Sequence, residues 1–167
     1  MMLQIFITVV SGVAVYVLSQ LFTEFCLRPI QEYNKLKAKV AQCLVFYAAC
    51  YLNPIDVSRK EFSQEYVNAS TAIRTIAAEV SAFAELIPFR PFILFSIPSK
   101  HKIKTASEAL IGISNSFTYS ENCITQHHRN IRKAEIKIKT ALRIGTRKKR
   151  KEEQKRFDSL ISEDKSI

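Results

Sequence analysis

The chain has 167 residues, and with an N-terminal apolar run set aside about 140 remain, enough for one modest domain. Only three glycines are present, which argues against a strand-and-turn architecture and against a Gly-rich phosphate loop. The formal net charge of +10 is unevenly placed: residues 1–99 hold 8 basic and 7 acidic side chains, whereas 100–167 hold 17 and 8. An electrostatic partner is therefore sought at the C-terminal side.

Leu3–Thr23 carries no charge. As a helix rising ~1.5 Å per residue it spans roughly 31 Å, about the hydrocarbon thickness of a bilayer. A helix is also the form that satisfies its own backbone polar groups in lipid. A cleaved signal peptide needs a basic start and a small-x-small cleavage site; Met1-Met2-Leu3-Gln4 lacks the first and Phe22-Thr23-Glu24-Phe25-Cys26 the second. Residues 1–27 are thus read as a retained anchor. Arg28, Lys35, Lys37 and Lys39 follow the run and nothing basic precedes it, so the Lys/Arg bias predicts an outside N-terminus and a cytoplasmic C-terminal domain. Val40–Leu52 is apolar but only 13 residues long, nearer a buried core helix than a second crossing.

The next region, 28–145, is read as a helical domain, with the five prolines placed where helical patterns stop. Tyr33, Leu36, Val40, Cys43, Tyr47 and Cys50 recur at 3–4 spacing and predict an amphipathic helix over 30–52. Ser58-Arg59-Lys60-Glu61 fits a capping box and starts a second helix over 58–87. Along it Phe62, Tyr66, Ala69, Ile73, Ile76, Val80, Phe83 and Ile87 alternate steps of four and three, the pattern of a bundle or coiled-coil seam. Phe62, Tyr66, Ile73, Ile76, Val80, Phe83 and Ile87 form the expected helix-packing interface. Pro88–Ser99 is an apolar, proline-bounded connector. Ile103, Ala106, Leu110, Ile113, Phe117, Ile124, Ile131, Ile138 and Leu142 then mark a third helix over 102–144, with Gly145 as its terminator. Ser114–Asn122 is weak helix material, so the alternative is two helices meeting near Tyr119; one helix with a local irregularity is the preferred reading. Residues 146–167 are expected to be a basic, disordered tail.

Chemistry-bearing motifs are sparse. His127 and His128 are adjacent and point about 100° apart on a helix, unlike the i, i+4 pair that chelates a metal. No nucleophile elbow, Walker loop, dinucleotide fingerprint or zincin motif is present. The expectation is no enzyme, no cofactor, no metal and no small-molecule substrate. Cys26, Cys43, Cys50 and Cys123 form no C-x-x-C pair and are expected to be reduced in the cytoplasmic setting. His127–Lys151 holds 11 basic residues against the single Glu135. Arg129, Arg132, Lys133, Lys137, Lys139, Arg143, Arg147, Lys148, Lys149, Arg150 and Lys151 are therefore the candidate contacts for anionic lipid or nucleic acid. No aromatic side chain lies between Arg129 and Lys151, so nucleic-acid binding would be non-specific and steeply salt-dependent.

Arg28-Pro29-Ile30-Gln31, Leu44-Val45-Phe46-Tyr47-Ala48 with Tyr51-Leu52-Asn53-Pro54, Ile97-Pro98-Ser99 and Leu110–Asn115 together resemble a group of small bacterial membrane proteins with one N-terminal transmembrane helix. The likeness covers roughly residues 5–117. It implies inner-membrane residence and carries no assigned activity.

The reading as a whole is an all-α protein: one transmembrane helix, an antiparallel three-helix bundle and a basic tail. It predicts a non-enzymatic interaction protein that self-associates or binds a protein partner, with the tail on anionic lipid or an acidic partner. The alternative is a membrane-perturbing, toxin-like effector of a phage-defence module whose tail senses nucleic acid or a ribonucleoprotein.

Overall fold

A computed structural model describes residues 1–56, 64–86, 97–119 and 124–163. Its regular structure is helical apart from one two-residue parallel pairing, Ile55 with Thr118 and Asp56 with Tyr119. The capping box, Phe62, Ile87, most of the apolar connector and the last four residues lie outside the described residues.

Helix α1 (Met2–Phe22) buries none of its residues. It runs without interruption into α2 (Arg28–Phe46), making one 45-residue helix that is long and apolar enough near its start to cross a membrane. Pro29 was expected to end the first helix, and it does not. Proline clashes with the carbonyl four residues back and offers no N–H to it. The chain accommodates this by widening to a π turn over Thr23–Leu27, with the Arg28 N–H donating to Thr23 O. Glu24 and Arg28 pair along the same turn.

The helix expected over 30–52 is present but broken at Tyr47, whose backbone leaves the helical region before α3 (Ala48–Leu52). The Tyr51 hydroxyl donates to Leu44 O at 2.9 Å and so satisfies a carbonyl freed by the break. Helix α4 is described over Gln64–Leu86 and buries Ala69, Ile73, Ala77, Val80 and Ala84.

The predicted continuous helix over 102–144 is instead two, α5 (Lys100–Ser114) and α6 (Ile124–Ala141). Ser114 and Ser116 hydroxyls donate to Ile111 O and Ile113 O. The same two carbonyls also accept the Asn115 and Ser116 N–H groups, each at 3.0 Å, so side chain and backbone share the last acceptors of α5, a local competition that favours a helix end. With the break at Tyr47 as well, the core draws on five helical segments among the described residues rather than three.

Their directions follow from the bonds between them. Lys39 pairs with Glu79 at 2.9 Å and Tyr66 donates to Asn53 O at 2.8 Å, so α2–α3 and α4 are antiparallel. The Ser70 hydroxyl donates to Ser114 O at 3.1 Å and that of Ser107 to Ala77 O at 2.8 Å, so α4 and α5 are antiparallel too. Ala77, Ala106 and Ser107 are small and buried at this contact, which lets a hydroxyl on one helix reach a main-chain carbonyl on the next. Helix α6 also packs on α5, and Tyr33 of α2 reaches Leu142 just beyond α6. One continuous core results, drawn from α2, α3, α4, α5 and α6 and including Tyr51, Ile73, Ile103, Leu110, Ile131 and Ile138.

Gly145 was expected to end the last core helix. The end falls earlier, at Ala141, where Arg143 adopts φ 55° and Ile144 N donates to Lys139 O at 2.9 Å. This is a Schellman ending, in which a left-handed residue lets two late N–H groups turn back to orphan carbonyls. Gly145, with φ 77°, then turns the chain again.

The tail expected to be disordered forms α7 (Arg147–Glu163). Lys, Arg, Glu and Gln are good helix formers. Thr146 Oγ1 accepts the Lys149 N–H at 3.3 Å, and Glu153 faces Lys139 of α6 at 3.7 Å.

Candidate functional site

The C-terminal basic residues do not form one surface. Arg129 and Arg132 stand toward the far end of α6, with Arg132 Nη1 4.0 Å from Glu135. Lys133 and Lys137 are exposed one turn apart. Lys139 is consumed inside the fold, 2.7 Å from Glu135 and 3.7 Å from Glu153. Arg150 is half-buried, donating to Gly145 O at 2.7 Å. Arg143, Arg147, Lys148, Lys149 and Lys151 complete the corner between α6 and α7, where Arg147, Lys148, Lys149 and Lys151 are exposed.

The position of that corner is the informative part. Tyr33, only 3% exposed, donates its hydroxyl to Leu142 O at 2.5 Å. Burial pushes the Tyr33 hydroxyl up to about 12, against the lowering pull of the Arg143 and Arg150 guanidinium charges. Its ring also stacks on Phe83 at 5.9 Å. Tyr33 stands six residues beyond Leu27, about 9 Å along the helix at 1.5 Å per residue. The α6–α7 corner, the end of α4 and the start of α5 therefore meet beside the exit of the apolar helix. At the same end Glu85 pairs with both Lys100 and Lys104, at 2.7 Å in the second case, and these ammonium groups hold its carboxyl down to about 2.

The corner is strongly positive in a second sense. Helix α7 begins there with no acidic residue in its first turn. Its N-terminus carries a partial positive charge from unpaired backbone N–H groups, so the cations of Arg147–Lys151 sit where a helix favours anions. An anionic partner at this spot relieves both charges at once. Sequence alone located the basic residues but not this convergence, because Tyr33 and Leu142 are 109 residues apart.

The expected packing face of α4 is occupied within the chain. Ile73 and Val80 are fully buried, and Tyr66, Ile76 and Phe83 pack against the same core. Among the described residues, these side chains therefore pack against the core of their own chain. Cys43 and Cys50 are buried as well. Burial pushes both thiols up, and Glu65, 3.8 Å from Cys50 Sγ, adds to the rise there. Among the described residues no three of His, Cys, Asp and Glu converge on a metal-sized site.

Two grooves remain. One, about 660 Å³, lies between α4 and α5 against Arg74, Ala78, Ser81, Ala82 and Ile111. Arg74 spans its end, donating to Ser114 Oγ at 3.2 Å and Asn115 Oδ1 at 2.8 Å. The other, about 510 Å³, lies between α5, α6 and α7 and is lined by His101, Lys102, Lys133, Lys137, Thr140 and Asp158 among others. The sequence reading missed Lys102 and His101 as partners of the basic stretch, since they precede it by some 25 residues.

Fold and surface together define an all-helical protein with one N-terminal helix apolar enough to span a bilayer and a basic corner beside its exit. No family model, curated protein or solved structure matches the chain.

Proposed function

We propose that this chain is a non-enzymatic, single-pass membrane protein of the inner membrane. In this reading α1 is the anchor, the helical bundle is cytoplasmic, and the α6–α7 corner contacts anionic lipid headgroups. The observation that carries it is the Tyr33–Leu142 hydrogen bond, which ties the corner to α2 about 9 Å past the apolar segment. That height is close to the Debye length of about 8 Å at physiological ionic strength. Each Lys or Arg near an anionic surface contributes about 1 kcal/mol, decaying over that length. Four exposed side chains (Arg147, Lys148, Lys149 and Lys151) then contribute about 1–4 kcal/mol in total, depending on how closely they approach. This is enough to orient a bundle already tethered by its anchor. The absence of an interleaved aromatic residue favours lipid over a base-stacking nucleic-acid surface.

The test is trypsin cleavage of the Arg147–Lys151 segment in the full chain held in nanodiscs. Anionic phosphatidylglycerol discs are expected to slow cleavage severalfold relative to neutral phosphatidylcholine discs. The protection should vanish in 1 M salt, where the Debye length falls to about 3 Å. Equal cleavage in both lipids at low salt overturns the proposal.

A further inference from the structure

The groove between α5, α6 and α7 holds more positive charge than the fold uses. Lys102 enters from α5, while Lys133 and Lys137 enter from successive turns of α6. Other basic groups nearby are committed: Lys139 to Glu135 and Glu153, Lys100 and Lys104 to Glu85. Lys102, Lys133 and Lys137 take part in no ion pair among the described residues. One carboxylate, Asp158 of α7, also lines the groove, and it accepts a hydrogen bond from Gln154 Nε2 at 3.0 Å. Three lysines against one aspartate leave a concavity with a net charge of +2 before His101 is counted. Its volume of about 510 Å³ falls in the range of about 300–1,000 Å³ typical of small-molecule sites.

We propose that this groove is an anion-binding site for a compact, multiply charged phosphate group, a terminal phosphate monoester or a pyrophosphate. Lysine suits this ligand because each ammonium is a mobile point charge with three donors. Here the ammonium groups come from two helices whose spacing is set by the core, so the ligand bridges α5 and α6. The Thr140 hydroxyl adds a neutral donor on the same wall. The apolar floor, Ile136 and Ala141, is buried, and it lowers the local dielectric and strengthens each contact. The site stands apart from the lipid reading, since it depends on α5–α6 packing and not on the orientation of the corner.

The experiment uses the full chain in neutral phosphatidylcholine nanodiscs, titrated with inorganic pyrophosphate by calorimetry. Saturable binding to one site is expected. Lys102→Gln, Lys133→Gln and Lys137→Gln should each weaken it roughly tenfold, the loss of one charged hydrogen bond. Asp158→Asn should tighten it severalfold, because it removes the opposing charge. The paired Lys35→Gln, Arg156→Gln variant, at two exposed positions outside the groove, controls for net charge and should change affinity less than twofold. All these side chains are exposed, and circular dichroism checks that each variant keeps its helix content. A control pair that weakens binding as much as the groove lysines overturns the proposal, as does an Asp158→Asn variant that fails to tighten it. Absence of saturable binding also overturns it. Repeating the titration in phosphatidic acid and phosphatidylglycerol discs separates the two sources of phosphate. Competition by phosphatidic acid alone assigns the groove to a lipid headgroup, and equal behaviour in both assigns it to a soluble phosphate compound.

Discussion

Replacing Tyr33 with phenylalanine removes one oxygen and tests the joint that positions the basic corner. The ring and its stacking on Phe83 are kept, so the change isolates the hydrogen bond to Leu142 O. A neutral hydrogen bond contributes about 0.5–1.5 kcal/mol net, and leaving a buried acceptor unpaired costs about 1–3 kcal/mol. With Tyr33 only 3% exposed, water reaches the abandoned carbonyl poorly, and a loss of about 2 kcal/mol is expected. For a chain of this size that is a drop of about 4–8 °C in Tm, read by circular dichroism in detergent micelles. A second signature is the alkaline limb. The native hydroxyl titrates near 12 rather than at its ordinary 10, so between these values the folded state holds a proton that the unfolded state has released. Stability therefore falls as pH rises from 10 to 12, and Tyr33→Phe should flatten that fall. Tyr51, raised chiefly by burial, keeps the remaining slope. A Tyr33→Phe variant with unchanged Tm and an unchanged alkaline limb refutes the claim that this bond pins the corner.

Three further outcomes follow from the same geometry. Ile73 is fully buried and Val67 is 42% exposed on the same helix; Ile73→Ala should cost about 2–5 kcal/mol, whereas Val67→Ala should stay within about 0.5 kcal/mol. Parity between the two in a denaturant titration would show that α4 does not spend its heptad face on its own core. Burial, and then the neighbouring His128 charge, hold the His127 imidazole below its ordinary value, with a Ser116 backbone bond acting the other way. The unfolded state thus binds its proton first as pH falls, so stability should decline below about 6.5, with a slope of at most about 1.4 kcal/mol per pH unit. His127→Gln should remove that part of the acid slope in melts between pH 7 and 5. Finally, Val9→Asp, Gly12→Asp and Val13→Asp together put three charges in the apolar run, at about 2.5–3.5 kcal/mol each near a bilayer centre. The triple variant should leave the membrane fraction on cell fractionation, and continued full membrane retention would sink the anchor assignment.

What could be read from the sequence divides along physical lines. The helix faces were legible because their apolar period is local: Tyr33, Leu36, Val40, Cys43, Ile73, Val80, Ile131 and Ile138 all lie in the core as spaced. The apolar N-terminal helix was equally plain. Helix ends were read less well, since they turn on competing hydrogen bonds. Pro29 was absorbed by one widened turn, and α5 ends in a stretch whose apolar spacing carried on, where the Ser114 and Ser116 hydroxyls bond Ile111 O and Ile113 O beside the backbone donors. Arg143 took the left-handed role that glycine fills more readily. The C-terminal helix was missed because its charge masked strong helix formers and a tertiary tie, Lys139 to Glu153. The candidate sites were the least legible. Lys102 with Lys133, and Tyr33 with Leu142, are neighbours through the packing of four helices, which no local pattern encodes.

The arrangement of the bundle on the bilayer is measured most directly with spin labels on α4. Leu86 and Asn68 are both exposed and 18 residues apart, so about 27 Å separates them along the helix. Leu86 lies three residues past Phe83, which stacks on Tyr33 near the anchor exit. In nanodiscs, a label at Leu86 should be broadened by a lipid-bound relaxation agent, and one at Asn68 by a water-soluble agent alone. Equal water exposure at both positions, or the reverse order, would contradict a bundle that stands with its basic corner on the membrane.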